Sequence, residues 1–159
     1  MRRAIAAVLL LGACQRTPPA DEVAAGRALE AAARNAGIVG DPADAAGVYA
    51  SGDDRLCLTG AAPSYRIGIS VDFGEGQRCL AQGLARGRDS LSLDIGKGCT
   101  MVVARDGDRL LFPARVPEAC AHACQGRATF DALALDRLSE AGGEAARLRG
   151  ADGKLLCAG

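Results

Sequence analysis

The sequence predicts a mainly β protein. The expected core is a small antiparallel up-and-down meander closing as a barrel (or splitting into a sandwich), with an N-terminal helix and one short disulfide-bearing helix. Three observations carry this. Tyr65, Ile67, Ile69, Val71 and Phe73 alternate with Arg66, Gly68, Ser70 and Asp72, the period of a strand with one buried face. Five apolar runs start at intervals of roughly ten to twelve residues, each joined by a glycine-containing turn. Six cysteines beyond residue 50 form an even set suited to three disulfides: Cys57, Cys79, Cys99, Cys120, Cys124 and Cys157.

The chain opens "MRRAIAAVLLLGAC", with Arg2 and Arg3 before an apolar run from Ala4 to Ala13. Ten helical residues reach about 15 Å, half of a bilayer core, so the run reads as an export signal and not a span. Leu11-Gly12-Ala13-Cys14 resembles the lipobox of bacterial lipoproteins. That resemblance implies cleavage after residue 13, lipidation of Cys14 and attachment to a membrane through the acyl chains. At about 0.8 kcal/mol per buried methylene, two or more chains make a stable anchor. In that family an aspartate after the cysteine retains the protein at the inner membrane. Gln15 stands here, which implies the outer membrane, facing the periplasm. An oxidising envelope compartment also suits the cysteines.

The expected organisation is therefore a signal over 1–13, a lipidated cysteine and tether over 14–22, a helix and linker over 23–46, and one disulfide-braced β domain over 47–159. "QRTPPADE" has the adjacent prolines of an extended tether. "DEVAAGRALEAAARNAG" has an acidic start, an alanine-rich body and a closing glycine, which predict a helix of about four turns. Val23 and Leu29 are its only large apolar residues, so its buried face is thin.

Strands are expected around Val48-Tyr49, in "RLCL", over Tyr65–Phe73, near Gln77 to Arg86, in "SLSLDI", in "CTMVVAR" and in "RLLFPA". Asp106-Gly107 marks a hairpin turn before the last of these. Further short strands are expected in "ATF" and "KLLCA". Between them, "VPEACAHACQG" reads as two turns of helix, with Pro117 at its start and Gly126 at its end. On an α-helix Cys120 and Cys124 share a face while His122 points away from both.

That stretch is the one place where metal or redox chemistry could be sought. Zinc would need thiolates in a compartment that oxidises them, and His122 is the only histidine. Haem attachment needs histidine directly after the second cysteine, where Gln125 stands. The meander instead brings the starts of the Cys79 and Cys99 strands to the same end as the helix. Those two cysteines lie two strands apart, about 9.6 Å, too far for a direct bridge. The economical pairing gives each one helix cysteine and leaves Cys57 to Cys157; a bridge between Cys120 and Cys124 is the rival.

Removing Arg2 and Arg3 leaves 17 Lys+Arg against 19 Asp+Glu, a net charge of about −2, and aromatic residues are 3%. Neither a basic patch nor a stacking platform for nucleic acid is evident. There is no G-x-S-x-G or S-x-x-K, "GEGQRC" lacks the third glycine of a dinucleotide loop, and "SGDDR" and "RDGDR" read as hairpin turns. "GVYASGDDRLCL", "YRIGISVDFGEGQ" and "ACQGRATFDALALDRLSE" resemble parts of small lipoproteins of unassigned activity. In size, tether and disulfide-held β architecture the chain is also similar to membrane-bound inhibitors of c-type lysozyme. Their "SGxxY" loop is matched only by Ser51-Gly52; Asp53, Asp54 and Arg55 follow, with no tyrosine at the matching place.

The leading expectation is a non-catalytic envelope lipoprotein, without cofactor or metal, that binds or inhibits another envelope protein. The alternatives are a barrel-type carrier of a small apolar ligand and a hydrolase of unrecognised type.

Overall fold

A computed structural model describes residues 20–36 and 44–158. The lipobox and Cys14 lie outside the described residues. Eight strands follow one another: β1 (Gly47–Ser51), β2 (Asp54–Ala61), β3 (Ser64–Asp72), β4 (Arg78–Gly87), β5 (Ser90–Asp94), β6 (Thr100–Asp106), β7 (Arg109–Leu111) and β8 (Ala134–Ser139). Each pairs antiparallel with the next, and β8 returns to β1, so the meander closes as an up-and-down barrel. Closure removes the free sheet edges that a sandwich of eight short strands would leave.

The period-two pattern decides which side chains enter. Tyr49, Leu56, Leu58, Ile67, Ile69, Leu91, Leu93, Val103, Leu110 and Leu135 fill the interior at 0–1% exposure. Phe112 and Phe130 close one end with ring centroids 6.4 Å apart. Gly83 lets the end of β5 approach β4 closely, since a Cβ there would lie 2.0 Å from the Asp94 carbonyl oxygen.

Several elements differ from the reading of the sequence. Phe73 lies past the end of β3 and is 53% exposed, because its N–H already bonds the Gln77 carbonyl to start the β3–β4 loop. The β6–β7 turn is centred one residue later than expected, on Gly107-Asp108, with Asp106 opposite Arg109 and Gly107 at φ 57°. "ATF" and "KLLCA" are not strands; the latter contributes one isolated bridge, Arg149 to Leu155. The strand that completes the barrel is β8, which the sequence reading passed over.

The largest difference is a second layer. Gly68 and Ser70 stand on the outward side of β3 yet are buried. Helix α2 (Gly142–Ala145) and the segment that follows it to residue 158 lie across the outside of the barrel as a strap. Ala145 and Leu156 pack there on Val48 and Cys57, with Leu80 and Leu148 at the margin. The Ser70 hydroxyl oxygen accepts the Ala151 N–H at 3.0 Å. Helix α1 (Ala20–Asn35) starts three residues before the expected boundary at 23 and buries none of its residues.

Candidate functional site

The cysteine–histidine stretch is a 3₁₀ helix, Glu118–Ala123, and not the α-helix expected. Its bonds run over three residues, Cys120 N–H to the Pro117 carbonyl and Cys124 N–H to that of Ala121. At about 120° per residue, Cys120 and Cys124 no longer share a face as they would on an α-helix. Cys124 leaves the helix in extended conformation at φ −116° and ψ 151°. The two sulfurs therefore reach different strands: Cys120 bonds Cys99 at the β5–β6 turn, and Cys124 bonds Cys79 at the start of β4. Gln125 N–H adds a backbone bond to the Arg78 carbonyl at 2.8 Å. The third bridge, Cys57 to Cys157, pins the strap. His122 is exposed and its Nδ1 lies 2.6 Å from the Ala119 carbonyl oxygen. A carbonyl only accepts, so Nδ1 carries the proton. Among the described residues no three His, Cys, Asp or Glu side chains gather where they could hold a metal ion.

At the opposite end the barrel is closed by a polar network. Arg137, on β8, turns inward and its side chain is 3% exposed. Its Nε donates to the Tyr49 hydroxyl at 3.3 Å and lies 3.4 Å from an Asp108 carboxylate oxygen. Its Nη1 lies 3.1 Å from Glu140 Oε1, an ion pair out of hydrogen-bond alignment. The Tyr49 hydroxyl donates onward to the Ala45 carbonyl at 2.8 Å, and Ala45 N–H donates to Tyr65 Oη at 3.3 Å. Asp44 accepts the N–H groups of Ala46 and Ala62, each at 3.0 Å, and the Tyr65 hydroxyl.

The titration behaviour follows from these contacts. Burial pushes the Asp44 carboxyl up, but the Ala62 and Ala46 N–H groups and the Tyr65 hydroxyl outweigh it, so the group sits below its ordinary value. Burial and the hydrogen bond to Asp44 push Tyr65 up to about 12. Burial also raises Tyr49, against the pull of Arg137. The network ties residues 44–46 to the mouth of the barrel.

The concave surface lies outside the barrel. Three open depressions of about 670, 300 and 340 Å³ share lining residues: Gln82 and Leu156 join the first two, and Arg66 and Leu84 join the second to the third. Together they form one groove. Its floor is the outer face of β4 and β3, from Leu80 through Gln82 and Leu84 to Arg66 and Ser64. One wall is the strap, from Asp152 to Ala158, which Gln82 holds by donating from Nε2 to the carbonyls of Leu155 and Leu156 at 3.0 and 2.9 Å. Its apolar surface stays open to water, with Leu84 on the floor 48% and Leu155 on the wall 37% exposed. None of these residues stood out in the sequence, because the groove exists only once β3, β4 and the strap are brought together.

Compared with protein-family models, curated proteins and solved structures, the chain matches none.

Proposed function

We propose that the protein is a lipid-anchored envelope protein, held through Cys14 at the periplasmic side of the outer membrane. There it binds or inhibits another envelope protein without catalysing a reaction. The observation that carries this reading is the division between a filled interior and an open exterior. A carrier of a small apolar ligand needs space inside the barrel, and Tyr49, Leu56, Leu58, Ile67, Ile69 and Leu93 occupy it. The concave surface with exposed apolar residues lies on the outside, where a macromolecule can reach it. His122, the only histidine, faces solvent with one ring nitrogen engaged by its own helix. Three disulfides suit the oxidising compartment to which an export signal leads.

The test is fractionation and cross-linking of the full chain in its own envelope. Mass spectrometry should find acyl groups on Cys14, and Cys14→Ser should move the protein out of the membrane pellet. A photo-cross-linking residue in place of Leu155 should join the protein to one defined partner. A membrane pellet unaffected by Cys14→Ser would remove the anchor, and a chain that carries the photo-cross-linker at position 155, or at Leu84 in its place, and joins to nothing would remove the binding role.

A further inference from the structure

We propose that the outer groove takes an extended, acidic segment of the partner protein, its apolar side chain over Leu84 and its carboxylates against Arg66 and Arg86. The proposal rests on the binding role above and names the chemistry of what binds.

Three observations fit one another. The first is charge. Arg66 lies opposite Leu84 across the β3–β4 ladder, Arg86 lies opposite Ser64, and Arg88 follows in the β4–β5 turn. All three are exposed, and among the described residues none makes an ion pair. Of the acids near the groove, Asp152 lies 3.9 Å from Lys154 Nζ, and Asp94, opposite Leu84 on β5, keeps its charge while it accepts the Gly96 N–H at 2.9 Å. Asp89 follows Arg88 in the turn, so three arginines stand against two aspartates and the upper half of the groove keeps a small net positive charge. The second is shape. From Leu80 to Leu84 the floor runs about 13 Å, the length of four extended residues, with Arg86 beyond it in an adjoining depression that Leu84 also lines, and it is concave where a bilayer surface would call for a flat or protruding patch. The third is rigidity. The Cys57–Cys157 bridge and the two Gln82 bonds hold the wall in place before anything binds, which lowers the ordering cost of association.

The full mature chain in neutral detergent is titrated against two fluorescent octapeptides, one alternating glutamate with leucine and one alternating lysine with leucine, by anisotropy. The acidic peptide should bind at least about tenfold more tightly. Leu84→Ser and the double variant Arg66→Glu/Arg86→Glu should each weaken it about tenfold, while Val102→Ser, on the outside of β6, should leave it unchanged. All four positions are exposed, so near-ultraviolet circular dichroism should stay that of the wild type. Equal affinity for both peptides, or an acidic peptide indifferent to Leu84 and the arginines, would overturn the proposal. Phosphatidylglycerol vesicles that compete for the same Leu84 and arginine side chains more strongly than the acidic peptide would replace a protein segment with a lipid surface as occupant. If the charge-reversed variant still cross-links to the same partner in the envelope, the groove assignment falls and the binding role stands. If the chain with the photo-cross-linker and its native arginines joins to nothing, the binding role falls first.

Discussion

Arg137 places its guanidinium carbon 5.7 Å from the centre of the Tyr49 ring while its Nε donates to that tyrosine's hydroxyl oxygen. One residue thus supplies a cation, a hydrogen bond and a hydrocarbon stem to the mouth of the barrel. Removing it leaves a gap beside a fully buried aromatic and leaves the Tyr49 oxygen with one partner fewer. Of its two carboxylate neighbours Asp108 is 72% exposed and Glu140 29%, so neither is left fully buried when the arginine goes. Arg137→Ala should therefore cost about 2–4 kcal/mol, from lost packing, hydrogen bonding and cation–π attraction. Arg137→Lys keeps the charge but not the planar fork, and should lose about half as much. Urea denaturation with the disulfides intact measures both, and an alanine variant as stable as the wild type would show the network to be idle.

Alkaline titration gives a cleaner reading of the same region. The chain has two tyrosines and no tryptophan, so phenolate absorbance reports Tyr49 and Tyr65 alone. Both are pushed above the ordinary value, Tyr65 to about 12. A tyrosine whose folded value is raised contributes stability that is fully present below the unfolded value near 10 and is lost as pH climbs toward the folded one. The native protein should show little phenolate at pH 10, and its denaturation midpoint should fall between pH 10 and 12. A half-developed phenolate signal at pH 10 in protein that is still folded would contradict this.

On the acid side the sign reverses. Burial raises Asp44, but its hydrogen bonds hold the folded value below that of an ordinary aspartate. Such a group contributes stability that is present above the unfolded value near 4 and lost as pH falls through the folded one. Asp54 works the other way: burial raises it, more than the Asp72 N–H that its Oδ1 accepts at 3.0 Å can lower it. Acidification should therefore weaken the Asp44 end of the barrel and relieve the Asp54 end. Asp44→Asn should flatten the loss of stability below pH 4, and Asp54→Asn should steepen it. Thermal denaturation from pH 3 to 7 separates the two, and identical acid limbs for both variants would defeat the assignment.

These contacts also show what sequence patterning can and cannot carry. β3 and β5 alternate cleanly because one face carries large apolar residues into the core and the other carries small or polar ones toward water or the strap, so their period survives in the letters. β8 hides because its inward residues are Leu135 and Arg137, and an arginine at a core position breaks the apolar rhythm. The clip at Cys120 and Cys124 could be placed by counting hairpins, since every second turn returns to the same end. Its 3₁₀ winding could not, because alanines suit either helix. Gly68 reads as a gap on a polar face, whereas it is a contact that needs a partner eighty-eight positions away. The groove depends on the same long-range closure, and no local signal announces it.

A Cβ at Gly68 would lie 2.0 Å from the Leu156 carbonyl oxygen and 2.8 Å from Leu156 Cγ. Backbone cannot yield to that, so Gly68→Ala should lift the strap from β3 at a cost of roughly 1–3 kcal/mol or more. The barrel interior lies on the other side of the sheet and should stay packed. The expected signature is faster tryptic cleavage after Arg147, Arg149 and Lys154, with the phenolate titration of Tyr49 and Tyr65 unchanged. Loss of the tyrosine shifts together with the cleavage would mean that the strap and the barrel unfold as one unit.

Cutting the Cys57–Cys157 bridge tests the same layer from its covalent end. The bridge closes a sequence separation of 100 residues, against 45 for Cys79–Cys124 and 21 for Cys99–Cys120. In the chain-entropy account a loop of that length is worth about 4.7 kcal/mol, and the shortest of the three about 3 kcal/mol. Cys57→Ser/Cys157→Ser should be the most destabilised of the three paired replacements. It should also release the strap, because Leu156 and Cys157 form the buried end of that layer. Cys99→Ser/Cys120→Ser should instead loosen the 3₁₀ helix over Phe112 and Phe130 and leave the strap's protection from trypsin intact. Unreduced peptide mapping of the wild type checks the pairing directly, and a peptide joining Cys120 to Cys124 would overturn it.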